Sequence, residues 1–183
     1  MNRSKNKTNI NKKKIIVVIS EDSKSSYYYL DSFRKQHRVN FILKKSNTKT
    51  DIKNLYKIIK KENADEYYII IDKEDCNVGE VKSYNDKHKG ANLIFSLPCF
   101  EYFVYLHYGK SDRQFKDWQE IADCLKSEFD VDYNKSDRQF FENLTKDFHK
   151  INLNYSFMEY KHPSTKIPQF LSKIIEYKNQ ELL

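Results

Sequence analysis

Two runs of β-branched and apolar residues in this 183-residue chain each finish in acid. Lys14-Ile15-Ile16-Val17-Val18-Ile19-Ser20 leads into Glu21-Asp22, and Tyr67-Tyr68-Ile69-Ile70-Ile71 leads into Asp72-Lys73-Glu74-Asp75. A buried strand gains nothing from carboxylates at its tip, whereas strand C-termini in an open α/β sheet are where ligands and metals bind. If the two strands are neighbours, Glu21 and Asp72 share one crevice, and their charges repel unless a cation sits between them. Glu74 and Asp75 add hard oxygen donors, the ligand type that Mg²⁺ takes. One or two Mg²⁺ or Mn²⁺ ions there could position a phosphodiester and stabilise its leaving oxygen. The plainer reading has Glu21 or Asp22 capping the next helix and Asp72 merely ending a strand.

A second constellation runs from Ser96-Leu97-Pro98-Cys99-Phe100-Glu101 to His107. Glu101 falls in the first turn of a helix that follows a strand, where a carboxylate suits the helix dipole. It serves either as a plain helix-start acid or as a member of the metal site. His107 lies on an apolar face, where a packed histidine is commoner than a catalytic one. The chain has no G-x-x-x-x-G-K-[ST] or G-x-G-x-x-G loop for a nucleotide, no H-E-x-x-H or paired C-x-x-C for zinc, and no G-x-S-x-G elbow.

The elements that must position these residues alternate in period. Strands are expected at 14–20, 39–44, 67–71 and 91–96, separated by helices at 23–36 and 51–61 and by a short helix or irregular crossover over 78–88. That alternation predicts an α/β fold: a mostly parallel four-stranded sheet with helices on both faces and right-handed crossovers. The simplest doubly wound order sets strands one and three side by side, which brings Glu21 to Asp72. From Cys99 onward the period is helical, with stripes at Phe100/Phe103/Val104/His107, Trp118/Ile121/Ala122/Leu125 and Phe140/Phe141/Leu144/Phe148. A last helix carries Ile167, Phe170, Leu171, Ile174 and Ile175, with Ser164 or Thr165 as its cap. An extended piece around 155–160 could add an edge strand. Ser-Asp-Arg-Gln-Phe occurs at Ser111–Phe115 and at Ser136–Phe140, and both copies are expected to open helices. Three divisions follow: a basic flexible tail (1–13), an α/β core (14–110) and a helical C-terminal extension packed on it (111–183).

Composition bounds the rest. The net charge of +7 and pI near 9.1 favour polyanionic partners. The tail with Arg3, Lys5, Lys7, Lys12 and Lys13, leading up to Lys14, is too polar to order itself. Three cysteines without C-x-x-C spacing read as reduced thiols in a cytoplasm, serving as small buried hydrophobes. No 18-residue apolar run predicts a membrane span, and no apolar core with a small-residue cleavage site predicts a signal peptide.

Four segments, in order, resemble the RloB-like proteins, Toprim-fold proteins of bacterial restriction and antiphage loci. Val18-Ile19-Ser20-Glu21-Asp22-Ser23-Lys24 with Tyr28-Tyr29 is similar to the family's opening E-G-x-x-T-E-x-x-Y-F. Ile71-Asp72-Lys73-Glu74-Asp75 is similar to its D-x-D strand end. Ser96-Leu97-Pro98-Cys99-Phe100-Glu101-Tyr102-Phe103-Val104-Tyr105-Leu106-His107-Tyr108 is close to S-N-P-x-F-E-x-W-L-x-x-H-F. His162-Pro163-Ser164-Thr165-Lys166-Ile167 resembles N-P-S-T-x-V. The resemblance implies a Toprim-like catalytic core and a Mg²⁺-dependent nuclease, acting on RNA (tRNA included) rather than duplex DNA, as the effector toxin of an antiphage system. Glu21 would be general base or metal ligand, and Asp72 with Glu74 or Asp75 would hold the metal. Glu101 would be a ligand or an orienting carboxylate, and Lys73, His107 and Lys24 would contact substrate. Related effectors are often encoded with an ABC-type ATPase, so such a partner is expected, and a homodimer is compatible with the fold. The rival expectation is a non-catalytic adaptor that has lost the metal and docks on that ATPase.

Overall fold

The computed structural model describes residues 14–46, 57, 61–72, 83, 86, 91–109, 113–151 and 164–180. In chain order these form β1 (Ile16–Ser20), α1 (Ser25–Gln36), β2 (Ile42–Lys45), β3 (Glu66–Asp72), β4 (Ala91–Leu97), α2 (Phe100–Tyr105), α3 (Trp118–Phe129), α4 (Arg138–Lys146), a 3₁₀ turn (Phe148–Lys150), β5 (Ser164–Thr165) and α5 (Ile167–Gln180). Sheet order is β2-β1-β3-β4-β5. The first four strands are parallel, and β5 adds an antiparallel edge against the end of β4. The fold class is therefore the expected α/β, with β1 and β3 as neighbours. The expected four strands gain a fifth of two residues, too short to show a period in the sequence.

Burial explains the strand compositions. Every residue of β1 is buried, and so are Tyr68 to Ile71 in β3, as befits central strands covered on both faces. Ile16, Val18, Tyr68, Ile70 and Ile94 belong to one cluster with the apolar stripes of α1 to α5. Aromatic rings are prominent in that cluster. Tyr29 meets Phe103 with ring centroids 4.9 Å apart, and Phe33 meets Phe148 at 5.0 Å, both edge to face. The C-terminal helices are thus a lid of this core: α1 lies along α4 and α2 along α3.

Helix starts follow their acids. Asp117 accepts from the Glu120 amide at 3.0 Å, and Glu120 returns the contact to the Lys116 amide at 2.6 Å. Asp137 accepts from the Phe140 amide at 3.1 Å. Only the second Ser-Asp-Arg-Gln-Phe copy therefore opens a helix. In the first copy Arg113 to Phe115 is not helical, because Phe115 is buried as an anchor and the cap has passed to Asp117. Thr165 Oγ1 accepts from the Ile167 amide at 3.3 Å, so the expected cap of α5 holds even though Thr165 also belongs to β5.

The tail at 1–13, the segment at 155–160 and most of 51–61 and 78–88 lie outside the described residues; Lys57, Ser83 and Asp86 within them are helical. Cys99 and Cys124 are free and buried, as expected of small hydrophobes, and Cys76 lies outside the description. No described helix is long and apolar enough to cross a membrane.

The turn after α2 offers one test of this packing. A Cβ on Gly109 would meet the Tyr105 ring, which is itself held between Phe115 and Phe129. Gly109→Ala is expected to cost about 1–3 kcal/mol, read as a lower urea midpoint with unchanged slope.

Candidate functional site

Parallel pairing places Ser20 opposite Ile70 and Asp72 opposite Ser96, so the β1, β3 and β4 tips end together. Immediately past β1, the Glu21 amide donates to Ile70 O at 3.0 Å, continuing the ladder one residue further. Its side chain then reaches across to β3, where Glu21 Oε2 accepts from the Asp72 amide at 3.3 Å. Asp22 behaves differently. Its two oxygens accept from the Lys24 amide at 2.9 Å and the Ser26 amide at 3.2 Å, so it caps α1. The plain capping reading is right for Asp22, while Glu21 points into the crevice between the strands.

The third carboxylate arrives from α2, after the cis Leu97–Pro98 peptide. Glu101 is 1% exposed, and Oε1 takes three contacts: Ser25 Oγ at 3.1 Å, the Tyr133 hydroxyl at 2.7 Å and Lys135 Nζ at 3.3 Å. Oε2 is equally buried and no nitrogen or oxygen donor reaches it. The Cys99 thiol, a weak donor, lies against the same carboxylate, and burial with the charges of Glu101 and Asp72 pushes that thiol up.

Asp72 keeps part of its surface in solvent, yet its carboxyl end is desolvated. That desolvation, with the charges of Glu101, Asp22 and Glu21, pushes Asp72 well above the usual carboxylate range, against one stabilising bond from the Phe100 amide. The other end of the same strand shows what a structural carboxylate looks like. Burial raises Glu66, but Lys14, Tyr68, Lys173 and Tyr177 outweigh it and leave its titration lowered. Among the described residues no cation pairs with Asp72. Lys135 offsets part of Glu101, but a desolvated carboxyl among like charges with no described cation of its own is costly, and protein sites of this kind gather around cations.

A divalent cation suits this donor set: oxygen ligands only, an orphaned buried oxygen on Glu101, and like charges that a cation would relieve. Among the described residues no three carboxylate, histidine or cysteine groups converge closely enough to hold an ion by themselves. Lys73, Glu74 and Asp75 directly follow Asp72 and lie outside the described residues.

Of the other expected site residues, Lys24 is exposed at the start of α1, close to the acids in sequence and in space. His107 is elsewhere. It packs on Tyr29 and Phe103, with ring centroids 5.7 and 5.3 Å away, and lines a cavity of about 330 Å³ with Tyr108, Phe140, Asn143 and Asp147. Both ring nitrogens are buried without a partner, and burial lowers its titration to about 3 despite the opposing charge of Asp147. No described contact joins it to the carboxylates. Sequence reading missed Ser25, Tyr133 and Lys135. Ser25 follows Glu21 and Asp22 closely in sequence, but Tyr133 and Lys135 are 32 and 34 residues beyond Glu101 and carry no local signal.

A parallel sheet whose neighbouring strand tips deliver Glu21 and Asp72 to one crevice, with Glu101 closing it from the next helix, defines an α/β protein with an acidic cleft. The chain belongs to the RloB-like protein family, whose model matches residues 16–174. No curated protein and no solved structure matches it.

Proposed function

We propose that this protein is a Mg²⁺-dependent phosphodiesterase that cleaves nucleic acid, RNA in preference to duplex DNA, as the effector of a bacterial antiphage system. The observation that carries the reading is the Asp72 carboxyl, desolvated among Glu21, Asp22 and Glu101 with no described cation beside it. Glu21 and Asp72, joined by Glu74 or Asp75, would hold the ion, and Mn²⁺ would serve in its place. When bound, such an ion polarises a phosphoryl oxygen and stabilises the leaving oxygen. The chain's own residues supply the frame. The Asp72 amide fixes Glu21 through one oxygen at 3.3 Å, so that the other Glu21 oxygen would ligate or take a proton from the attacking group. Tyr133, Ser25 and Lys135 saturate one Glu101 oxygen and so aim the other, a positioning function. Lys24, exposed at the cleft edge, is a phosphate contact.

The decisive experiment induces expression in a bacterial host and sequences cellular RNA ends, comparing wild type with Glu21→Gln. New ends in the wild type alone support the reading; identical profiles refute it.

A specific observation favours a second reading. Lys135 already neutralises part of Glu101, and the described acids alone do not make a three-ligand site. An adaptor docking on an ABC-type ATPase would carry such a site. Mg²⁺ titration separates the two. A hydrolase with an ion at 100 times its Kd gains about 2.7 kcal/mol of stability, and an adaptor gains none.

A further inference from the structure

We propose that a ridge of alternating aromatic rings and cations beside the acidic cleft is a track for single-stranded nucleic acid. Tyr27, Tyr28 and Trp118 would take bases, and Lys45, Arg138 and Lys135 would take phosphates. The proposal deepens the hydrolase reading by naming the strand state of the substrate and the surface that holds it.

The ridge is built from two groups of ring–cation contacts, Lys45–Tyr27–Tyr28–Arg138 and Lys135–Trp118, whose cations Arg138 and Lys135 are three residues apart. Lys45, exposed at the end of β2 and paired in register with Ser20, places Nζ 4.2 Å from the Tyr27 ring and 5.8 Å from the Tyr28 ring. Both tyrosines lie in the first turn of α1, half-buried, with their rings edge to face at 6.2 Å. Arg138, exposed at the start of α4, lies 4.7 Å over Tyr28. Three residues earlier, Lys135 lies 4.4 Å over Trp118, which opens α3 and is 39% exposed. The same Lys135 amine is 3.3 Å from Glu101 Oε1, which ties this end of the ridge to the carboxylates.

Each cation rests on a ring that also has exposed surface. That arrangement suits an exchange of partners. A base has a π-face whatever its sequence and can stack where the cation lay, and the freed cation then meets the neighbouring phosphate. A duplex hides its base faces inside the stack and offers the rings nothing. An acidic peptide would satisfy the cations but would leave the rings without a planar partner. The net charge of +7 draws a polyanion to the whole molecule, while the rings select an unpaired one.

The test uses the full chain in EDTA, where binding needs neither metal nor cleavage. The probes are a fluorescein-labelled twelve-nucleotide oligouridylate and a hairpin duplex of equal length, followed by anisotropy. Trp118 is the chain's single tryptophan, so its emission reports stacking directly. We expect the single strand to bind at least about tenfold tighter than the duplex and to quench Trp118. Trp118→Ala should weaken binding by about fivefold to a hundredfold. Arg138→Gln, on an exposed helix start where Gln is well tolerated, should lower the salt slope by about 0.7. Equal affinity for the duplex, unquenched tryptophan, unchanged binding in both variants, or equal competition by polyglutamate would each overturn the track. A strand that binds tightly yet stays uncut in Mg²⁺ would instead sink the hydrolase reading and leave the track standing.

Discussion

Asp72→Asn is expected to do two opposite things: abolish metal-dependent cleavage and stabilise the metal-free protein. The carboxyl is desolvated beside three other acids, and its titration is raised in the folded state. A group with a raised folded pKa contributes stability that is complete below its unfolded pKa, near 3.9, and is lost as pH rises through the folded value. At neutral pH the wild type therefore carries the cost of a crowded charge. Asn keeps an oxygen for the Phe100 amide and removes that charge. The melting temperature in EDTA at pH 7 should rise by at least about 3 °C, corresponding to about 1 kcal/mol for a chain of this length. The gain should vanish at pH 3, where the wild-type carboxyl is protonated in both states. Mg²⁺ should raise the wild-type melting temperature and leave the variant unmoved. A variant less stable than wild type in EDTA, or one still shifted by Mg²⁺, would remove Asp72 from the metal site.

His107 governs the second large effect. It is held neutral, lowered to about 3 against an ordinary 6.5, by burial against Tyr29 and Phe103. The groups that face it are Asp147, whose charge works weakly the other way, the Tyr108 ring and the Asn143 amide. Above pH 6.5 the imidazole is neutral in both folded and unfolded chains, so it contributes no pH dependence. Below 6.5 the unfolded chain takes up a proton that the folded chain refuses, and stability falls by about 1.4 kcal/mol per pH unit. By pH 4 the loss amounts to about 3 kcal/mol. His107→Leu, of similar volume, should flatten that part of the curve when urea midpoints are compared at pH 7 and pH 4. Parallel curves for the two proteins would show that the ring is solvated after all.

The fold was legible where one force acted alone. β1 and β3 read as strands because their residues are apolar on both faces, and the crossover rules then left β1 beside β3 as the simplest order. Their neighbouring tips, and hence the meeting of Glu21 with Asp72, followed from that order. What the sequence hid was the division of labour between adjacent acids. Glu21 and Asp22 are chemically alike, and only the turn into α1 aims one at β3 and the other at the helix amides. The repeat of Ser-Asp-Arg-Gln-Phe misled for a related reason. A capping residue marks a helix only if the following side chains leave the chain free to coil, and Phe115 is committed to the core instead. Two partners of Glu101, Tyr133 and Lys135, were invisible because they come from the far side of α3, where no local period records a contact.

That long reach across the chain has a consequence for timing. Glu101 is clasped by Ser25 from the first helix and by Tyr133 and Lys135 from the loop before α4. While the polypeptide is being synthesised, β1 to β4 and the acids at their tips emerge well before residues 133 and 135 do. Two of the three groups that hold the third carboxylate are missing until that later stretch has left the ribosome. A growing chain thus carries an unfinished cleft, completed only once residue 135 has emerged.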